Sequence, residues 1–202
     1  RPAPVPRSMF SAWASAKVGT ASEATVAQRI VRAKRTLAEA RVPFEVPTGA
    51  EFTGRLASVL EVIYLVFNEG YAATSGADLV RERLSAEAIR LARTLAQLMP
   101  EEPEALGLLA LMLLHDARRA TRVDGAGDLV TLEEQDRDRW DQEEIGEGVR
   151  LLDAALRLAK PGPYQLQAAI AACHATAADA ADTDWAEIAA LYGRLARMVP
   201  SG

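Results

Sequence analysis

Four basic side chains lie close together in SEATVAQRIVRAKRTL, which spans residues 22–37. Arg29, Arg32, Lys34 and Arg35 are followed by one acid, Glu39, at a spacing that allows an ion pair with Arg35. Guanidinium and ammonium groups at this density can neutralise phosphates. The segment therefore predicts contact with a polyanion, although a solvated helix face could have the same composition.

The element that would position these charges is an amphipathic helix. Ser22 can cap its first turn, and an apolar stripe repeats at three- and four-residue steps through Val26, Ile30, Ala33 and Leu37. Small and polar residues come first and basic residues later, an order typical of a helix-turn-helix recognition helix. A membrane-surface helix would carry bulkier apolar residues. The candidate DNA-binding residues are Ser22, Glu23, Thr25, Gln28, Arg29, Arg32, Lys34 and Arg35.

Charge is distributed unevenly along the chain, whose formal net charge is −5. Residues 1–41 hold eight Arg or Lys and two Glu, a net charge of +6, so residues 42–202 carry −11. This asymmetry favours two functional parts, with the basic part contacting a polyanion.

The segment Asp124–Glu147, hereafter the acidic segment, holds ten acids and two arginines. Its glycines are misplaced for a calcium loop, so we expect no metal site. One interpretation is structural: a turn at residues 124–128, inward-facing Leu129, Val130 and Leu132, and local ion pairs over an aromatic plug. The other is a protein-interaction surface. Its candidate residues are Asp128, Glu133, Glu134, Asp136, Asp138 and Trp140.

Other reactive residues predict neither an enzyme nor a cofactor site. Adjacent helical residues such as Cys173 and His174 diverge by about 100°, which suits a nucleophile and its base poorly. His115 is expected to be a packed residue. A single cysteine and the lack of an 18-residue apolar run predict a cytoplasmic protein without a membrane span. The chain begins without Met, which predicts a piece of a longer protein.

Helical periodicity dominates after the prolines of VPFEVP, at residues 42–47. About six helices are expected in residues 50–200, packed as antiparallel hairpins, with the second beginning near Ser85. Pro103 should lie in the first turn of a buried helix, and Asp182 or Asp184 should cap the last one. The spacing of Trp185, Ile188, Ala189 and Tyr192 is typical of a tetratricopeptide helix. The predicted fold class is all-α.

Several blocks together carry a family resemblance. SEATVAQRIVRAKRTL resembles the promoter-reading helix in region 4 of extracytoplasmic-function sigma factors. The blocks YLVFNEGY, EAIRLARTL, PEALGLLALMLLHDARR, LEEQDRDRWD and GPYQLQAAIAACHA resemble the helical C-terminal extension of one group of these factors.

The resemblance implies a function and a domain plan. Residues 22–41 would be the recognition helix of region 4, 42–49 a linker and 50–202 the helical extension. Residues 1–21 match the family poorly and begin with the Pro-rich RPAPVPR, which predicts a flexible segment. The implied partners are promoter DNA at the −35 element, RNA polymerase core, and a regulator or the protein's own region 2 domain. The alternative is a stand-alone helical interaction module whose basic arm is incidental.

Overall fold

The chain divides into two compact units, Arg1–Pro47 and Thr48–Gly202. The structure, a computed structural model, describes residues 32, 35, 36, 39, 49–71, 78–126 and 128–198. The predicted segments 1–21 and 22–41, apart from four helical residues, lie outside this range. The assignment of residues 1–49 to three segments therefore stays a prediction.

Six α-helices make up most of the described part of the second unit. They are α1 (Gly49–Tyr71), α2 (Asp78–Leu98), α3 (Pro103–Asp116), α4 (Gln142–Arg157), α5 (Pro163–Thr176) and α6 (Trp185–Met198). Three short 3-10 segments accompany them, Arg119–Thr121, Arg137–Arg139 and Ala180–Asp182. Each helix contacts the next one along the chain, and the described residues contain no strand, only the isolated bridge between Val123 and Leu129. The predicted all-α fold class is confirmed.

Helix α3 forms the centre of this unit. Eleven of its residues are buried, from Pro103 to Leu114 with the exception of Glu104, and it contacts α1, α2, α4 and α5. A helix that is apolar all round must be covered on every side. The prediction of a central buried helix with Pro103 in its first turn is confirmed.

Glu104, the exception, caps a different helix. Its carboxylate accepts hydrogen bonds from the backbone N–H groups of Tyr164 at 3.0 Å and Gln165 at 3.2 Å. These groups lie in the first turn of α5, whose own N-cap residue, Gly162, supplies no side-chain acceptor. Because free N–H groups at a helix start need acceptors, Glu104 fixes the start of α5 against α3.

The predicted start of the second helix is wrong by seven residues, because α2 begins at Asp78. Ser85 has the side chain of an N-cap residue, but it is buried and its hydroxyl accepts a hydrogen bond from Arg119. The last helix follows the prediction, since Asp184 Oδ1 accepts from the backbone N–H of Glu187 at 2.9 Å.

Candidate functional site

Two of the eight candidate DNA-binding residues are described. Arg32 and Arg35 are both helical and exposed. The guanidinium of Arg35 donates to the Glu39 carboxylate at 2.6 Å. Ser22, Glu23, Thr25, Gln28, Arg29 and Lys34 lie outside the described residues.

The acidic segment begins with a closed turn, as expected. Asp124 Oδ1 accepts from the backbone N–H groups of Ala126 and Asp128, both at 2.9 Å. The prediction that Leu129 faces inward is wrong, because its side chain is 59% exposed. Leu129 pairs with Val123 across the turn, and residues opposite each other share one face, which here is turned to solvent. Val130 and Leu132 are half-buried.

Trp140 anchors the acidic segment to the helices. Its indole is buried and donates to Thr121 Oγ1 at 2.9 Å. The expected ion pairs over this ring are not found among the described residues. Instead Arg137 lies over the indole, 4.5 Å from its centre, and donates to the carbonyls of His174 and Ala177. The last carbonyls of α5 have no helical donor, so they attract this guanidinium.

The other candidate interaction residues lie at the surface. Asp128, Glu133, Glu134, Asp136 and Asp138 are all exposed. Trp140 is not part of that surface, because its side chain points into the core.

A cluster of aromatic and basic side chains surrounds the end of α3. The Arg122 guanidinium lies 3.7 Å from the centre of the Tyr71 ring and donates to the Tyr71 carbonyl. The Tyr71 and His115 rings are 5.5 Å apart, and Arg119 pairs with Asp116. Burial raises the pKa of Tyr71, whose hydroxyl has no hydrogen-bond partner in the structure.

Beside this cluster lies a cavity of about 280 Å³ between α3, α5, α6 and the acidic segment. Its walls are mostly apolar, and six lining side chains carry hydrogen-bonding groups: His115, Arg118, Trp140, Gln167, His174 and Tyr192. The Trp140 indole and the Gln167 amide already donate to Thr121 Oγ1 and the Pro163 carbonyl. Both histidines of the chain line the cavity. No carboxylate occurs among the lining residues.

The charges around the two imidazoles are positive. Burial, with added repulsion from Arg118 and Arg122, lowers the pKa of His115 to about 3. Burial and the charges of Arg118 and Arg137 also lower the pKa of His174. Both rings are therefore neutral at pH 7. Arg118 Nη2 lies 3.1 Å from His115 Nδ1, whereas His174 Nδ1 is buried without a partner.

Cys173 and His174 have different surroundings. Cys173 packs against the apolar cluster between α5 and α6, whereas His174 lines the cavity. Burial and the nearby Glu187 and Asp184 raise the pKa of the Cys173 thiol. Among the described residues, no group of three or more His, Cys, Asp or Glu side chains could hold a metal ion.

The neutral His115 ring predicts acid sensitivity. Its pKa is about 3 in the folded chain and near 6.5 when unfolded, so the unfolded chain binds the extra proton between these values. The associated stability is fully present above pH 6.5 and is lost as the pH falls toward 3. Between pH 7 and pH 5 the loss should reach up to about 2 kcal/mol. His115→Gln should remove it.

Glu144 works in the opposite direction and must be separated out. Its pKa is raised to about 7 by burial and by Asp116 and Asp141, so its contribution to stability grows as the pH falls toward 4.5. Urea unfolding of wild type and His115→Gln at both pH values isolates the His115 contribution, since Glu144 is common to both. Parallel pH dependence in the two proteins would show that His115 is not held neutral.

A known family covers part of the cavity lining. A family model described as a family of unknown function (DUF6596) matches residues 55–156. The chain belongs to the DUF6596 family. The matched range covers most of α1 through α4 and includes Tyr71, His115, Arg118 and Trp140. The α5 and α6 walls of the cavity follow it.

A longer protein is similar to most of this chain. "Uncharacterized protein R00370" of Rhizobium meliloti (strain 1021) is 51% identical over 180 residues, which cover 89% of this chain and 43% of that protein. The chain thus spans less than half the length of this relative. No solved structure matches the chain. In the described part of the chain, no helix has the length and apolar character needed to cross a bilayer.

Sequence reasoning missed the cavity. Its polar lining comes from separate blocks, with His115 and Arg118 in one and Gln167 and His174 in another. The usable signal was that both histidines of the chain lie inside blocks that carry the sigma-factor resemblance.

Proposed function

We propose that this chain is the C-terminal part of an extracytoplasmic-function sigma factor. In that factor, residues 22–41 contact promoter DNA at the −35 element. The helical unit Thr48–Gly202, which contains the DUF6596 match, is a regulatory, protein-binding extension. The observation that carries the proposal is the ordered series of blocks that resemble such a factor, from SEATVAQRIVRAKRTL to GPYQLQAAIAACHA.

The packing of the unit supports treating these blocks as one module. Tyr71 of the first extension block contacts Arg122, which follows the HDARR block. Arg137 of the LEEQDRDRWD block binds the carbonyl of His174 in the last block. Polar residues that are far apart in the sequence thus hold each other in place, as expected of one domain with one role.

The basic segment is the part proposed to contact DNA, and its contacts should be electrostatic. We expect weak retention on duplex DNA, with about three or four phosphates neutralised and a log–log salt slope near −3. Replacing Arg29, Arg32, Lys34 and Arg35 with alanine should abolish retention, measured by filter binding at low salt.

A matched control comes from the same 41 residues. Replacing Arg1, Arg7, Lys17 and Arg41 with alanine removes the same charge but keeps the basic cluster of Arg29, Arg32, Lys34 and Arg35. The control variant should keep most of the affinity. Equal losses in both variants would mean that net charge alone, and not the basic helix, holds the DNA.

The second candidate function, a helical interaction module with an incidental arm, is favoured by one contact. The ion pair between Arg35 and Glu39 is exposed at both ends, as on an ordinary solvated helix. Retention that survives the four-alanine change in the basic helix would support this function over the first.

The exposed acids of the acidic segment are the proposed protein-binding surface of the extension. In the full-length protein, reversing Glu133, Glu134 and Asp138 to lysine should abolish transcription with RNA polymerase. Folding, followed by circular dichroism, should stay normal. The physical reason is that the three new lysines would face the basic partner surface that the acids are proposed to bind, and like charges at a protein interface lower affinity and slow association.

Three exposed acids elsewhere in the unit serve as the control. Reversal of Glu101, Asp153 and Asp179 makes the same change in net charge away from the acidic segment. Transcription should be preserved in this control. If the acidic-segment variant transcribes as well as wild type, that surface is only a structural element.

A further inference from the structure

We propose that the cavity between α3, α5, α6 and the acidic segment binds a small organic anion, a carboxylate on an apolar, ring-sized body. The carboxylate would lie beside Arg118 and His174. This inference does not depend on DNA binding or on the sigma-factor proposal.

The shape and the apolar walls argue for an apolar body. At about 280 Å³ the cavity approaches the lower end of the range in which proteins hold small ligands. Leu111, Leu114 and Ile170 contribute aliphatic surface, while Trp140 and Tyr192 contribute rings. Such walls cannot replace the hydrogen bonds that a small ion makes with water, but they stabilise a flat hydrocarbon group.

The polar lining argues for a negative charge on the ligand. Arg118 is a fixed cation at the cavity wall, and no carboxylate among the lining residues neutralises it there. The guanidiniums of Arg122 and Arg137 also act on the two imidazoles, so the local field is positive. His174 Nδ1 has no partner in the protein although it is buried, which leaves one polar position to be satisfied. A carboxylate beside Arg118 would balance this positive field.

The chain itself provides the reporter for a test. Its two histidines both line the cavity, so every imidazole signal in an NMR spectrum reports on this site. The probe is 1-naphthylacetate, and the matched neutral compound is 1-naphthylacetamide, which has the same shape without the charge. Inorganic phosphate supplies an anion without an apolar body.

We expect naphthylacetate to shift both imidazole signals and to bind at least about tenfold more tightly than the amide. Hydrogen bonds to a charged group are roughly twice as strong as those between neutral groups, which favours the acid. Phosphate should bind at least tenfold more weakly than naphthylacetate. Equal affinity for acid and amide, equal affinity for phosphate, or unmoved imidazole signals would each overturn the proposal.

A substitution tests the role of Arg118. Arg118→Met keeps an unbranched apolar side chain and removes the charge, and it should lower the affinity for naphthylacetate about tenfold while leaving that for the amide unchanged. Arg157→Met, at an exposed position on α4, is the control and should change neither affinity. Unchanged binding of the acid to Arg118→Met would also overturn the proposal, and circular dichroism together with retained amide binding shows that the variant is folded.

Discussion

Replacing Trp140 with alanine is expected to lower the free energy of unfolding by about 3–5 kcal/mol. The indole is only 4% exposed and packs with residues of α3, α4 and α5. Its loss would leave a void, remove the donor to Thr121 Oγ1 and remove the surface on which Arg137 lies. The acidic segment would then lose its main anchor to the helices.

Trp185 provides the matched control. Its ring is 56% exposed, and its main described contact is an edge-on approach to His174 at 5.3 Å between ring centres. Trp185→Ala should therefore cost less than about 1 kcal/mol. Urea unfolding followed by far-ultraviolet circular dichroism compares the two. Similar losses for both substitutions would contradict the burial of Trp140.

The helices were predictable because their signals are local. Apolar residues at three- and four-residue steps define a helix wherever it packs, and the run around Leu109 is apolar on every side. Pro103 and Asp184 mark helix starts through their own backbone and side-chain chemistry. These features need no knowledge of the rest of the fold.

The missed features all depend on contacts between distant residues. Ser85 looks like a helix cap in the sequence, but it is taken by Arg119, 34 residues away. Arg137 lies beside acids in the sequence, yet it bonds to carbonyls about 40 residues away. A partly buried carbonyl without a helical donor attracts a guanidinium more strongly than a solvated carboxylate does, because exposed ion pairs contribute little. Local patterns cannot reveal that competition.

The same argument separates the two proposed sites. The basic segment is a local pattern, and its DNA-binding role stays a prediction. The cavity is a tertiary feature, since His115 and His174 are 59 residues apart and meet only because α3 packs against α5. The contacts that hold α3 against α5 therefore also form the cavity.

Gly107 is one residue that allows this close approach. A Cβ atom added there would lie 2.8 Å from Gln165 Cγ and 2.9 Å from the Gln165 backbone nitrogen. Gly107→Ala should therefore push α5 away from α3 and lower the free energy of unfolding by about 1–3 kcal/mol. This effect opposes the gain of up to about 1 kcal/mol that alanine normally gives over glycine inside a helix.

Gly54 on α1 is the control, because a Cβ atom there would meet nothing within 4 Å. Gly54→Ala should raise the free energy of unfolding by about 0.5–1 kcal/mol, so the two substitutions are expected to have opposite signs. Urea unfolding measures both. Gly107→Ala should also weaken binding of naphthylacetate, whereas Gly54→Ala should not, since only the first displaces His174 from His115. A gain in stability at both positions would mean that α3 and α5 do not approach so closely, and the cavity would lose its structural basis.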